Sequence, residues 1–170
     1  MQAPVVQLVC GGQTGADRAA VDFALSRGIA YRGWVPRGGW AEDFSHAPGL
    51  LARYEHFTET ASPDSDERTR LNVRGSNATI IVHLGPSLSP GVTLTRQVAL
   101  ALARPLLEID ALGCASNGEL RAFLSTIAAP VTLNIAGPRE SEAPGMYLAT
   151  FAFLSANADL FAASPYRSAL

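Results

Sequence analysis

Residues 5–18 read VVQLVCGGQTGADR and contain the pattern that decides the fold. The apolar run 5–10 predicts a short buried strand, and Gly11-Gly12 predicts a tight turn at its end. Residues 17–27 follow with apolar positions at helical spacing, and Gly28 is a natural C-terminal cap for that helix. A strand, a glycine-rich turn and a helix in this order are typical of a parallel α/β sheet.

The rest of the chain alternates strand-like and helix-like segments in the same way. We expect further strands at 31–35, 53–57, 79–84, 106–109 and Val131–Ala136. We expect further helices at 70–76, 95–103, 117–127 and 145–161, a loop at 36–50 and an acidic, turn-rich segment at 60–68. Apolar strands that alternate with helices indicate one Rossmann-like α/β domain over residues 1–170, with a mostly parallel sheet between two helical layers. Residues 163–170 are expected to form a loose tail.

The composition indicates a cytoplasmic protein. The chain has 170 residues, of which 48% are hydrophobic and 16% are charged, so it can bury a core within one domain. Its net charge of -2 provides no basic field to attract nucleic acid or an anionic membrane. We see no signal peptide and no apolar stretch that spans a bilayer. We therefore expect neither a nucleic-acid partner nor a membrane partner.

Every one of the 13 basic residues is arginine. Any cationic contact to a ligand must therefore come from arginine, which binds phosphate and carboxylate through paired hydrogen bonds, and no Schiff-base lysine is available. Two cysteines, Cys10 and Cys114, have no paired spacing, and the three histidines have no metal-ligand spacing. We therefore expect neither a disulfide framework nor a metal site.

The first glycine-rich loop, residues 10–18, lies where a dinucleotide fingerprint would begin. Cys10, however, stands at the first glycine position of G-x-G-x-x-G, and no acidic residue ends the second strand near Trp34. The lysine of a P-loop is absent as well. What remains is a backbone N–H cradle for a phosphate, with Thr14 as a side-chain donor. The alternative is a tight turn that serves only strand-to-helix packing.

Two further junctions follow strands. In residues 90–95, Thr93 and Thr95 either cap a helix or contact a phosphate. In residues 134–142, Arg139 stands among Gly, Pro and Ser and is well placed to pair with an oxyanion, although a solvated surface loop is the alternative. Ligands of parallel sheets bind outside the carboxyl ends of the strands, so these junctions together predict an anion site.

These loops resemble the molybdenum carrier family. The matching blocks are, in order, residues 11–20, 33–38, 41–43, 68–69, 72–73, 76 with 78–79, 134–141 and 144–145. The resemblance covers nearly the whole chain. It implies a Rossmann-like fold of the group that includes cytokinin-activating phosphoribohydrolases. It also implies that the protein binds the molybdenum cofactor (molybdopterin), a pterin with a phosphate tail, as its cargo.

One departure from the hydrolase relatives bears on activity. Those relatives carry P-G-G-x-G-T-x-x-E, with a glutamate needed for catalysis. In that register Pro90, Gly91 and Thr95 agree, but Val98 stands where the glutamate would be. Hydrolysis by that route is therefore not expected. A substituting carboxylate would have to come from Asp17, Glu42, Asp43 or Glu140.

We therefore expect a binding or carrier protein and assign no catalytic residue and no metal ligand. The residues expected to hold the phosphate-bearing ligand are Gly11, Gly12, Gln13, Thr14, Gly15, Asp17, Arg18, Arg37, Gly91, Thr93, Thr95, Gly137, Arg139, Glu140 and Ser141. Two alternatives stay open, an enzyme that cleaves the glycosidic bond of a nucleoside monophosphate and a nucleotide-sensing module without chemistry.

Two further expectations concern assembly and glycine substitutions. The last predicted helix is apolar on more than one face, which predicts a homo-oligomer, either a dimer or a tetramer. Valine at Gly12 or Gly15 is expected to weaken ligand binding and to leave the fold largely intact.

Overall fold

The computed structural model describes residues 5–86, 89–111, 117–128 and 130–163. The strands in this part are β1 Val5–Val9, β2 Ala30–Val35, β3 Phe57–Glu59, β4 Ala78–His83, β5 Leu106–Asp110 and β6 Val131–Ala136. The helices are α1 Ala16–Arg27, α2 Ser65–Arg74, α3 Pro90–Ala101, α4 Asn117–Ser125 and α5 Met146–Ala156. Short 3-10 helices lie at Gly49–Ala52 and Ala158–Leu160. Most of the expected tail, residues 164–170, lies outside the described residues.

The described strands form one sheet in the order β3-β2-β1-β6-β4-β5, and every pairing between them is parallel. Helix α1 packs against α5, and α2 packs against α3. The chain crosses from β1 to β2 and from β4 to β5 in opposite directions, so right-handed crossovers place α1 and α3 on opposite faces. The predicted three-layer α/β fold is confirmed.

The strand order becomes a familiar one when counting starts at β4. The sequence β4, β5, β6, β1, β2, β3 then has the spatial order 2-1-3-4-5-6, which is a doubly wound sheet. Val5 and Phe161 form a parallel bridge, and the Ala162 N–H donates to the Val5 carbonyl over 2.8 Å. Such proximity is what a circular permutation requires. The switch point of this sheet lies between β4 and β6, where ligands bind doubly wound folds.

Helix α5 and the segment that follows it pack aromatic side chains against α1. The Phe23 ring contacts those of Phe151 and Phe161 edge to face, with centroids 6.1 and 5.3 Å apart. The helix ends at Ala156, five residues before the predicted end, because the chain tightens into the 3-10 helix Ala158–Leu160. Leu148 remains 73% exposed. The packing of α5 thus accounts for part of its apolar character within one chain, and the homo-oligomer stays a prediction.

The sequence misplaced β3 and the start of α2. Helix α2 begins at Ser65 because the Asp64 carboxylate accepts the N–H of Asp66 over 3.0 Å, which makes Asp64 the N-cap. Strand β3 lies at Phe57–Glu59 rather than at 53–57. The 3-10 helix before it extends into a turn, in which the Tyr54 N–H donates to the Leu50 carbonyl.

Helix α3 begins at Pro90, five residues before the predicted start. Ser89 is its N-cap, and proline is suited to the first helical position because no N–H is needed there. Thr93 and Thr95 therefore lie inside the helix, and the prediction that one of them caps it is wrong. Across the part of the chain described, no helix has the length and apolar character needed to cross a membrane.

Candidate functional site

A cavity of about 200 Å³ opens at the carboxyl ends of β1, β4 and β6. The loop after β1, the first turn of α2, the start of α3 and the loop after β6 form its walls. This place adjoins the β4–β6 switch point. The topology and the glycine-rich loops therefore lead to the same part of the molecule.

The structure brings residues from all three predicted loops to this cavity. The predicted residues that line it are Gln13, Asp17, Gly91, Thr95, Gly137 and Arg139. The predicted residues that do not line it are Gly11, Gly12, Thr14, Gly15, Arg18, Arg37, Thr93, Glu140 and Ser141. Three of this second group, Thr14, Arg18 and Ser141, fasten the loops to one another.

The loop after β1 spends part of its backbone hydrogen-bonding capacity on itself. The Gln13 N–H donates to Oδ2 of Asp17 over 3.4 Å, and the Thr14 N–H donates to Oε1 of Gln13 over 3.0 Å. The buried Asp17 carboxylate thus takes the place of an anion in this loop. Two of the N–H groups considered for a phosphate already have a partner.

Two glycines of this loop are required by close packing and by a left-handed backbone. Gly12 has φ +68°, and a Cβ there would lie 2.8 Å from the Phe57 ring. Gly15 has φ +77°, and a Cβ there would lie 2.4 Å from the Pro138 carbonyl oxygen. This packing contradicts the expectation that valine at either position leaves the fold largely intact.

Arg68 forms a buried ion pair with Asp17 at the floor of the cavity. Nη1 lies 3.1 Å from Oδ2 of Asp17, and the two side chains are only 14% and 5% exposed. Burial raises the pKa of Asp17, while the Arg68 guanidinium and the Gln13 N–H oppose that rise. A Cβ on Gly11 would lie 1.7 Å from Nη1, so glycine leaves the space that the guanidinium fills.

Arg68 was not among the predicted site residues. The apolar pattern placed the start of α2 at residue 70, whereas the helix begins at Ser65 and includes Arg68. The pair Arg68-Thr69 of the family resemblance was the signal that could have pointed to it.

Arg18 fastens the loop after β2 to the loop after β1. It donates two hydrogen bonds to the Asp43 carboxylate, over 2.7 and 2.9 Å, and its Nε donates to the Gly12 carbonyl over 3.2 Å. The hydrogen bonds from Arg18 hold the pKa of Asp43 below its usual range, against a smaller opposing effect of burial. Because its side chain is used in this way, Arg18 has a structural role.

Glu42 joins three loops. The hydroxyl of Thr14 donates to its Oε1, and the hydroxyl of Ser141 donates to Oε2 over 2.7 Å. Burial acts to raise the pKa of Glu42, but the hydrogen bonds from Thr14 and Ser141 outweigh it, and the pKa lies below its ordinary value. Thr14 and Ser141 thus hold the walls of the cavity together.

Two other predicted site residues act away from the cavity. The Glu140 carboxylate accepts the N–H groups of Gly145 and Tyr147, over 2.6 and 2.8 Å, and so caps the start of α5. Arg37 is exposed, and its backbone N–H donates to the Ser62 carbonyl. The structure does not bring the Arg37 side chain to the lining of the cavity.

Arg139 lines the cavity. Its guanidinium lies 5.5 Å from the ring centroid of Trp40, which is 36% exposed, in cation–π geometry. Among the described residues, the guanidinium has no ion pair and no hydrogen bond; the Arg139 backbone N–H donates to the Glu142 carboxylate. An external anion can therefore pair with it.

The start of α3 faces the same cavity. Pro90 and Gly91 line it, so the positive end of the helix dipole lies at the wall. The Thr95 hydroxyl donates back to the Gly91 carbonyl over 2.8 Å. Val98 is 7% exposed and packs against Val73 between α2 and α3. It therefore lies in an apolar contact rather than at the cavity.

The donors at this site suit an oxyanion better than a bare metal ion. The lining includes two arginines and a helix N-terminus, which favour negative charge. It also includes three carboxylates, of which Asp17 is paired with Arg68 and Asp66 and Glu142 are exposed. Within the described ranges, no group of three or more His, Cys, Asp or Glu side chains is arranged to hold a metal. The Cys10 thiol is buried, and this burial raises its pKa, so its thiolate form is disfavoured.

Comparisons with known proteins agree with this architecture. Residues 8–158 match the family model described as "Circularly permutated YpsA SLOG family", in agreement with the strand order. A crystal structure named "Putative molybdenum carrier protein", from Syntrophus aciditrophicus, superposes with a TM-score of 0.81. It is 34% identical over 92% of this chain and 97% of that chain. No curated protein matches.

Proposed function

This chain belongs to the circularly permutated YpsA SLOG family, and we propose that it binds and carries the molybdenum cofactor, molybdopterin. The observation that carries the proposal is Arg139, which lines a cavity at the sheet's switch point and whose guanidinium has no ion pair and no hydrogen bond among the described residues. Such a group favours a ligand that brings its own negative charge. The phosphate tail of the cofactor supplies that charge.

The donor set around Arg139 fits the phosphate end of this cargo. Gly91, at the start of α3, lines the same cavity, and the buried Arg68–Asp17 pair forms the floor. We propose that these elements hold the phosphate. The molybdenum then stays with the pterin, because the described residues offer no cluster of metal-ligating side chains.

The size of the cavity suggests that only part of the cargo is enclosed. At about 200 Å³ it is smaller than the roughly 300–1,000 Å³ of a pocket that buries a whole small molecule. We propose that the phosphate end enters and that the pterin lies towards the mouth.

We also propose a cytoplasmic homo-oligomer of one domain, formed through the α1–α5 face. Leu25 and Leu148, on these two adjacent helices, are 53% and 73% exposed. Exposed leucines on neighbouring helices favour burial against a partner. Sedimentation at micromolar concentration should give a dimer or tetramer, and Leu148→Glu should shift it towards monomer. A wild-type monomer would contradict this proposal.

Native mass spectrometry of freshly purified protein, with elemental analysis for molybdenum, tests the cargo. The expected result is a bound pterin mass and a molybdenum content that falls together with it in Arg139→Ala. A bound nucleotide without pterin would favour the sensor alternative. Turnover of a nucleoside monophosphate would favour the hydrolase alternative, which the apolar surroundings of Val98 do not support.

A further inference from the structure

Arg68 has a buried N–H that the protein itself leaves unused. Its Nη1 donates to Asp17, but its Nε is inaccessible to solvent and has no hydrogen-bond partner among the described residues. A buried donor on a charged group is costly to leave unpaired. The Arg68 Nε–H is therefore a donor that can accommodate an oxygen acceptor from outside the protein.

A small void offers room for that oxygen. It measures about 10 Å³ and is lined by Arg68, Asp17, Thr95, Asn134 and further residues of α2 and of the β1 and β6 ends. That volume holds roughly one water-sized oxygen atom. The first three of these residues also line the larger cavity, so the void adjoins the cavity floor.

The fold fixes Arg68 in this position before any ligand arrives. Gly11 provides the space over which the guanidinium lies, because a Cβ there would be 1.7 Å from Nη1. Asp17 holds one nitrogen of the group and is itself fixed by the Gln13 N–H. An arginine that is already ordered loses less conformational freedom when it binds an anion.

The ion pair at the floor leaves Arg139 as a further arginine of the lining. Asp17 is the buried carboxylate there, and Arg68 and Arg139 both line the cavity. Asp66 and Glu142 line it too, but both are exposed, and water screens their charges.

We propose that Arg68 is a primary oxyanion-binding residue of this protein, with one oxygen of a terminal tetrahedral oxyanion bound at its Nε. The group is either the phosphate monoester of a larger ligand or a free tetrahedral oxyanion. Arg139, from the loop after β6, binds a second oxygen of the same group. The identity of the cargo rests on the proposed function, whereas the oxyanion chemistry rests on these residues alone.

Calorimetric titration with inorganic phosphate and with molybdate tests the assignment. Arg68→Ala should weaken the binding of whichever of these two oxyanions the wild-type protein binds, by at least tenfold. The matched control is Arg70→Ala, which removes an exposed arginine from the same helix outside the cavity and should change affinity less than twofold. The proposal is overturned if the wild-type protein binds neither probe at millimolar concentration, because Nε then holds only a water molecule. A folded Arg68→Ala variant with wild-type affinity overturns it as well.

Arg68→Ala leaves Asp17 buried without its partner and can fail to fold. The double variant Asp17→Asn with Arg68→Met removes both charges and keeps most of the buried volume. It should fold and lose oxyanion binding; wild-type affinity in this variant refutes the proposal. In the unmutated protein, the ¹H–¹⁵N resonance of the Arg68 Nε–H should shift on addition of phosphate, and an unchanged resonance at saturation contradicts it.

Two comparisons separate this inference from the proposed function. A stronger response to molybdate than to phosphate indicates a free oxyanion, and stronger binding of adenosine monophosphate than of adenosine indicates a phosphate monoester. Oxyanion binding that depends on Arg68, without any binding of the cofactor, upholds the inference and refutes the carrier proposal. Cofactor binding that is unchanged in Arg68→Ala upholds the carrier proposal and refutes the inference about Arg68.

Discussion

Replacing Arg139 by alanine separates ligand binding from stability. The guanidinium has no ion pair among the described residues, so its removal costs the fold a cation–π contact with the partly exposed Trp40 and a weak Coulombic attraction to Glu42. Such a cation–π contact is worth about 0.5–1 kcal/mol of unfolding free energy. A charge-assisted hydrogen bond to a bound phosphate is worth about 1.5–3 kcal/mol, which is roughly a tenfold to 150-fold loss of affinity.

Arg53→Ala is the matched control for this variant. Arg53 lies over the ring of Tyr54 at 5.4 Å, almost the same as the 5.5 Å between Arg139 and Trp40, but it does not line the cavity. Both alanine variants should lose similar stability in urea, and only Arg139→Ala should lose affinity in calorimetry. Arg139→Lys should recover little affinity, because an ammonium group does not reproduce the two parallel hydrogen bonds of arginine.

Two results would refute the reasoning about Arg139. One is an Arg139→Ala variant that binds the phosphate-bearing ligand as tightly as Arg53→Ala does. The other is a loss of stability of several kcal/mol, because the described contacts leave the guanidinium no partner that could account for it.

Other predictions test the frame of the site. Asp17→Ala should lower the free energy of unfolding in urea by about 3–5 kcal/mol, because it leaves Arg68 buried and unpaired. The control Glu108→Ala breaks an exposed ion pair and should cost under about 1 kcal/mol. Equal losses in the two variants would contradict a buried ion pair at Asp17. Glu42 has a pKa below its ordinary 4.5, so it contributes stability above pH 4.5 that is lost as the pH falls through its folded-state pKa. Glu42→Gln should remove that part of the acid sensitivity in thermal melts. An unchanged profile would contradict the role of Glu42 in joining the three loops. A chain with its two ends joined by a flexible linker and reopened between residues 62 and 63 should fold with a native circular dichroism spectrum, and failure to fold would contradict the permuted topology.

The regular elements could be predicted because local patterns determine them. Strand β6 was predicted with its observed bounds, and the glycine turn after β1 lies where the sequence placed it. The errors lie where a polar cap outweighs hydrophobic periodicity. Asp64 and Ser89 each start a helix five residues before its apolar pattern begins. Those shifts are large enough to misassign Thr95 as a possible cap.

The candidate site was predictable as a region but not in detail. Arg139 and Gly91 follow strands, and topology alone brings them to one edge of the sheet. The partners of Thr14, Arg18 and Glu140 were not visible, because each bonds to a group whose position only tertiary structure defines. The same holds for the side chain of Arg68, which reaches the first loop from a different helix.

The phosphate dependence of cofactor binding directly tests whether the protein holds its cargo through an oxyanion site at Arg139. Calorimetry should compare the intact molybdenum cofactor with the same pterin after removal of its phosphate, on one preparation of the protein. We expect tight binding of the intact cofactor. The dephosphorylated pterin should bind with an affinity at least about tenfold lower, because the charge-assisted contacts disappear. Equal affinity for the two ligands would contradict an oxyanion site at Arg139.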